Sequence, residues 1–221
     1  VAYTTVGNMS QFLQGIFQTP LLVGHSGNEQ IRQKICELAY QFRATASDAG
    51  LVSEGWSYGK RSSSMEDFQR YGVTSFNSGS LMDLPEWKEV IDFLHHFASA
   101  MVASVNDSSR VVSFVNSWVT IYPPGTYVPE HIHSNSLLSG VFYAKVPKDC
   151  GNLIFKDPAS VAKTMSIGDI NHFPTVKTMY THTVEEGQMV IFPSWLPHLT
   201  ETNRSGDDRI MVSFNIDMKE S

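Results

Sequence analysis

The chain reads as a mainly β protein with a helical N-terminal layer, an α+β arrangement around a β-sandwich or barrel-like jelly roll. Three observations predict this. Residues 110–218 fall into short stretches of period two, each closed by turn residues such as Asp149, Gly151, Gly187 and Gly206. The first half carries two stretches whose apolar residues recur at helical spacing. No repeat and no low-complexity linker separates the halves, so residues 1–221 read as one domain. Within it, 1–106 form a helical support with an opening strand, and 110–218 form the β core.

The elements follow in order. Residues 16–24, Ile-Phe-Gln-Thr-Pro-Leu-Leu-Val-Gly, read as the opening strand. Asn28 then caps a helix whose apolar face is Ile31, Ile35, Leu38, Ala39 and Phe42. The Gly/Ser-rich stretch 47–65 reads as loop. A second helix starts after Pro85 near Trp87, with Val90, Phe93, Leu94, Phe97 and Met101 as its stripe. Adjacent His95 and His96 point in different directions there, which speaks against a shared metal. Strands are expected at 111–122, 137–146, 152–156, 178–184, 188–192 and 208–217. A long loop, 159–178, interrupts them, and such loops often shape pockets.

Composition excludes several function classes. Charged residues make up 17% and hydrophobic ones 42%, which rules out a disordered chain or a coiled coil. The net charge of −6 and the lack of a basic stripe speak against a nucleic-acid binder and an anionic membrane surface. Two cysteines, Cys36 and Cys150, are too few for a secreted disulfide scaffold and point to a reducing, cytoplasmic compartment. No apolar run is long enough for a transmembrane helix. The opening Val1-Ala2-Tyr3-Thr4 lacks the features of a signal peptide, although the chain does not begin with Met. Oligomeric state is open, with a homodimer compatible.

The candidate chemistry lies in His131-Ile132-His133 and Pro197-His198. In an extended segment, residues two apart share a face, so His131 and His133 can meet one metal ion. His198 follows the turn at Gly187, a buried apolar strand and Pro193, where a ligand projects into a barrel mouth. Arg209 stands in the otherwise apolar strand Ile210-Met211-Val212, and an inward arginine needs an anionic partner. Its forked guanidinium suits a carboxylate. Ser213 shares the face of Arg209, and Trp118, Thr120 and Tyr122 share one face of the strand before the histidines.

The spacing Gly125-x5-His131-Ile132-His133 resembles the first cupin motif, and Gly187-x5-Pro193-x4-His198 the second. A Glu a few residues after the histidine pair and a Gly at the position of Trp195 are missing from that likeness. A second resemblance covers more. Arg209 lies eleven positions after His198, as in the 2-oxoglutarate/Fe(II) oxygenases. One subfamily of these is similar across Phe17-Gln18-Thr19-Pro20, Gly55-Trp56-Ser57, His131–Ser136, Ser139–Tyr143, Phe192–His198 and Arg209–Asn215.

This resemblance implies a double-stranded β-helix (jelly roll) and an oxygenase that uses Fe(II), 2-oxoglutarate and molecular oxygen. It implies hydroxylation of a small molecule or a peptide side chain, with release of succinate and CO2. His131, His133 and His198 are then the metal residues. Arg209 holds the far carboxylate of the co-substrate, with Tyr122 and Ser213 as further candidates.

The family usually places a carboxylate at the position of His133. Three arrangements are open: a three-histidine site, iron on His131 and His198 alone, or His133 behind the ligands. The first is favoured. Glu130 is a poor substitute, since alternation turns it outward. Trp195 is expected to wall the pocket, and Gly55-Trp56 to pack or to cover it. A cupin-type metalloenzyme without 2-oxoglutarate and a non-catalytic jelly-roll binding protein are the rival readings.

Overall fold

The computed structural model describes residues 2–6, 9–13, 18–49, 73–76, 79–105, 109–160 and 177–220. Strands β1 (Ala2–Val6) and β2 (Met9–Leu13) pair antiparallel by themselves. Then come β3 (Leu22–His25), α1 (Glu29–Ala49), β4 (Val73–Thr74) and α2 (Lys88–Ala103). The barrel strands are β5 (Arg110–Tyr122), β6 (Leu138–Lys145), β7 (Leu153–Lys156), β8 (Met179–His182), β9 (Gln188–Pro193), β10 (His198–Thr200) and β11 (Arg209–Glu220). The opening strand is shorter than expected, because Gln18–Leu21 is irregular and residues 16 and 17 lie outside the described residues. The Gly55-Trp56-Ser57 motif and most of the 159–178 loop lie outside them too.

Apart from the β1-β2 pair, the strands form two antiparallel sheets, a six-stranded one in the order β3-β9-β6-β11-β5-β4 and a three-stranded one in the order β10-β7-β8. The large sheet is covered on both faces, so β9 is buried at all six positions and β6 at Ser139–Ala144. Double coverage turns an alternating strand into a continuous buried run. One face, with Val119, Ile121, Phe142, Ile191, Val212 and Phe214, packs against α1 and α2. The other, with Tyr122, Val141, Tyr143, Val190, Phe192 and Met211, closes on Leu153 and Phe155 of the small sheet. The site lies in this second, inner layer. The architecture is the double-stranded β-helix with helices outside one sheet.

Local chemistry explains the helices. The Asn28 side-chain oxygen accepts from the Ile31 amide at 3.1 Å, which satisfies one orphan donor at the start of α1. Ile31, Ile35 and Ala39 are buried one turn apart, and Leu38 and Phe42 half-buried beside them. On α2, Val90, Leu94, Ala98 and Val102 are buried. His95 hydrogen-bonds the Val112 carbonyl at 3.1 Å and packs edge-on to Phe114, so it serves the helix–sheet contact.

A β-bulge decides which strand residues face inward. Against β11, the register of β5 runs regularly from Tyr122 to Asn116 and then shifts, with Ile216 opposite Phe114. Val115 is the extra residue. Below it, Phe114 and Val112 join the helix-covered core. Above it, Asn116, Trp118, Thr120 and Tyr122 line the inner cavity.

Candidate metal centre

The turn at Pro123-Pro124-Gly125, with Gly125 at φ 88°, sends the chain back along β10. The returning segment is irregular but fully held. Val128 donates its amide to the Thr200 hydroxyl at 2.9 Å, and Thr200 donates its own to the Val128 carbonyl at 3.1 Å. His131 and His198 exchange both backbone hydrogen bonds at 3.0 Å, and the His133 amide donates to the Ser194 carbonyl at 2.9 Å. These bonds place the three histidines side by side.

One ring nitrogen from each lies within 4.8 Å of those of the other two. Ring centroids are 4.1 Å apart for His131 and His198, and 5.1 Å from His133 to each. His131 and His198 use Nδ1 on the carbonyls of Pro129 and Leu196, each at 2.9 Å. That contact fixes the tautomer and presents Nε2 as the ligand atom. His133 Nε2 lies 3.3 Å from His198 Nε2, and its ring is stacked on Trp118. Burial lowers the pKa of all three. It brings His133 to about 4 and His198 to about 3, with the neighbouring His131 charge adding to the effect. At neutral pH the cluster is therefore uncharged and has lone pairs for a cation.

The histidines open on a cavity of about 600 Å³. Tyr122, Tyr143, Thr200, Met211 and Ser213 line it, with Trp118, Phe76, Ile132 and Asn135 among the other wall residues. Arg209 lies against this wall and is only 1% exposed. Its Nη1 donates to the carbonyls of Cys150 (3.0 Å) and Gly151 (3.3 Å), and its Nη2 to the Thr200 hydroxyl (3.1 Å). The guanidinium carbon sits 4.9 Å over the Tyr122 ring, and Nε has no partner among the described residues. No carboxylate pairs with this buried cation among the described residues, so its charge is left without a counter-ion. Burial pushes the Tyr122 hydroxyl up to about 12 and raises Tyr143 as well, so both remain O–H donors beside it.

His131, His133, His198, Tyr122 and Ser213 thus line one cavity, with Arg209 behind its wall against Tyr122 and Thr200, and three placements are to note. Ser213 lies opposite Trp118 in the register, four residue pairs from Arg209, rather than beside the guanidinium. Glu130 points outward and pairs with Lys156. Trp195 is 52% exposed and is absent from the described lining, so it does not wall the pocket. The turn Pro193–Leu196 carries it past the mouth, the Leu196 amide donating to the Pro193 carbonyl at 3.0 Å. Sequence reasoning missed Tyr143, Thr200 and Asn215, whose roles come from strands far apart in the chain. A larger cleft of about 770 Å³ lies at Cys150 and Gly151, away from the histidines. Asp149, Glu185, Glu186 and Glu201 line it against Lys148 and Arg204, an unfavourable balance for a dianion.

Fold and site together define a double-stranded β-helix protein with a candidate three-histidine metal centre. Residues 116–215 match the family described as "Putative 2OG-Fe(II) oxygenase". No curated protein matches the chain. Among solved structures it is similar to AviO1 from Streptomyces viridochromogenes Tue57, at 17% identity and TM-score 0.59 over 90% of this chain and 89% of that one. It is also similar to the alpha ketoglutarate dependent epimerase SnoN from nogalamycin biosynthesis, at 13% identity and TM-score 0.57 over 90% and 78%. A prolyl-4-hydroxylase of Pseudomonas putida follows at 12% identity and TM-score 0.54, over 90% and 94%. At these identities the likeness is one of fold.

The residues present fit the cofactors of the family, Fe(II) and 2-oxoglutarate. The fit to a metal ion is carried by converging neutral imidazoles whose Nδ1 atoms are engaged elsewhere. The fit to a dicarboxylate is carried by the orphaned Nε of a buried arginine.

Proposed function

We propose that this chain is an Fe(II)- and 2-oxoglutarate-dependent dioxygenase that hydroxylates a small molecule or a peptide side chain. In this reading His131, His133 and His198 hold the iron. Arg209 holds the far carboxylate of 2-oxoglutarate, helped by the Tyr122 hydroxyl and, further along the same strand, by Ser213. One observation carries the reading: a buried arginine without a counter-ion among the described residues lies behind the wall of a cavity that three neutral imidazoles line. When bound, the two cofactors supply oxidative chemistry with O2 and release succinate and CO2.

The chain's own part is positioning. Arg209 and Tyr122 orient the co-substrate by its far end, which sets its reactive end toward the histidines. Phe155 and Phe192 pack around His198 and keep bulk water from its inner side. Three neutral histidines leave a bound Fe(II) at a net charge of +2, which favours a dianionic co-substrate. Retention of a hydroxyl on the product is part of the proposal, since a protein of the same fold is named an epimerase.

The experiment is an anaerobic melting scan of metal-free protein with Fe(II), with 2-oxoglutarate, and with both. A ligand at a hundred times its Kd adds about 2.7 kcal/mol. In a domain this size that raises Tm by roughly 5–10 °C. The expected result is a 2-oxoglutarate shift that needs Fe(II) and disappears in Arg209→Ala. A shift with iron alone favours a cupin-type enzyme. No shift with either leaves a binding protein and overturns the proposal.

A further inference from the structure

We infer that Asn116 selects the substrate: its amide N–H groups receive a carbonyl or hydroxyl oxygen of a neutral, flat, largely apolar small molecule that lies against Trp118 and Phe76. This inference rests on the oxygenase reading, which gives the Arg209 end of the same cavity to the co-substrate.

The register of β5 against β11 orders the cavity in steps of two residues. Tyr122 pairs with Arg209, Thr120 with Met211, Trp118 with Ser213 and Asn116 with Asn215. All of these except Arg209 line the cavity. Trp118 stacks on His133 with ring centroids 5.6 Å apart, so the histidines stand at the third step. The first two steps belong to the co-substrate. The fourth lies on the far side of the histidines, about 7 Å further along the strand at the usual rise per residue. A substrate atom held at the histidines therefore brings a group roughly 7 Å away to Asn116.

A chain of hydrogen bonds sets what Asn116 offers there. Ser139 donates its hydroxyl to Asn215 Oδ1 at 2.9 Å, and Asn215 Nδ2 donates to Asn116 Oδ1 at 2.9 Å. The Ser194 hydroxyl lies 2.8 Å behind Ser139. Ser139, Ser194 and Asn215 are buried, which holds the chain in place. The Asn116 oxygen is thus engaged, while its Nδ2 has no partner among the described residues. That nitrogen carries two N–H donors, so the complementary ligand group is an acceptor.

The rest of this end is apolar. Phe76 meets Trp118 edge-on, with centroids 5.0 Å apart and planes at 80°. Val115 and Ile132 line the cavity too and are 46% and 55% exposed. Among the described lining residues there is no acid, lysine or arginine. A charge on the substrate would be desolvated here without a partner, which disfavours zwitterionic and phosphorylated molecules. A cavity of about 600 Å³ is of the size that holds small molecules.

The test is a calorimetric titration of the full chain loaded with Zn(II), a redox-inert ion, with and without 2-oxoglutarate. The probes share one bicycle: β-tetralone carries a carbonyl, tetralin has no polar group, and tetralin carboxylate carries a charge. The ketone is expected to bind roughly 3–10-fold more tightly than the hydrocarbon, the gain of one hydrogen bond. With 2-oxoglutarate present, the carboxylate should bind about tenfold more weakly than the ketone. Asn116→Leu should bring ketone and hydrocarbon to equal affinity. Asn116→Asp still accepts from Asn215 Nδ2 but has no N–H to offer, so it should lose the preference with the chain of hydrogen bonds intact. It also decides the question if the leucine variant fails to fold. A ketone preference that survives in the aspartate variant overturns the inference, since Asn116 would then be structural only. Equal binding of ketone and hydrocarbon by the unaltered chain, no binding of either, or a carboxylate as tight as the ketone overturns it as well. Failure of 2-oxoglutarate to bind in the same titrations takes down the oxygenase reading separately, because the ketone preference is also measured without it.

Discussion

At the scale of single residues, the site is a balance of charges withheld. Among the described residues Arg209 is a buried cation without an anion, and the three histidines are bases whose protonation burial disfavours. The histidines make acid sensitivity a direct consequence. Burial holds His133 at about 4 and His198 at about 3, below the ordinary histidine value of about 6.5. The unfolded chain therefore binds more protons than the folded one between these values. Stability from this source is fully present above pH 6.5 and is lost as pH falls toward 3–4. We expect the metal-free protein to lose melting temperature steadily from pH 6.5 to pH 4. His198→Phe should flatten that slope. An identical slope in the variant would place the acid sensitivity elsewhere.

At the scale of elements, the inner and outer layers of the large sheet compete for the same strands. Gly140 on β6 shows how tightly the outer layer fits. A Cβ there would lie 2.2 Å from a ring carbon of Phe214. Phe214 is stacked on Phe114 with centroids 4.5 Å apart, and both rings are buried. The ring has little room to yield, and overpacking of this kind costs about 1–3 kcal/mol. Gly140→Ala should lower stability by about that amount in urea unfolding. The loss should shrink when Phe214 is also changed to Leu, a coupling that neither change shows alone. Full loss in the double variant would mean that the glycine serves backbone freedom instead. The bulge at Val115 is the other device of this scale. It lets one strand supply Phe114 to the helices and Asn116 and Trp118 to the cavity.

For the whole molecule, the candidate metal site joins segments that the chain keeps far apart. His131 and His133 lie on the returning segment, and His198 begins β10 in the small sheet. Helices α1 and α2 pack on the opposite face of the large sheet and contribute none of the three histidines. Metal binding should therefore slow amide exchange around residues 127–136 and 194–200, while α1 and α2 stay unchanged. Hydrogen exchange read by mass spectrometry, with and without Zn(II), checks this. Uniform protection that includes both helices would show that the metal stabilises the fold globally and not these two segments.

What the sequence determines by itself is local and periodic. Asn28 as the cap, the stripes from Ile31 and Val90, and the strands from 111 to 217 follow from chemistry within a few residues. Arg209 was legible because strand alternation turns it inward, and His131 and His133 because their spacing lets them meet on one side, although their segment is held as an irregular stretch against β10. The three-residue strand His198–Thr200 was not, because so short a run has no period to read. What only the tertiary structure decides is which faces meet. Thr200 reaches Arg209, and Asn215 and Tyr143 reach the same cavity through strand neighbours tens of residues away. Val115 shows the limit of alternation, since one unpaired residue reverses the facing of every residue beyond it. Trp195 shows it too: adjacency to His198 in sequence placed it in the pocket, and a turn of the backbone carries it out to solvent. Periodicity is a property of the chain, whereas the partner of a buried charge is a property of the assembled sheets.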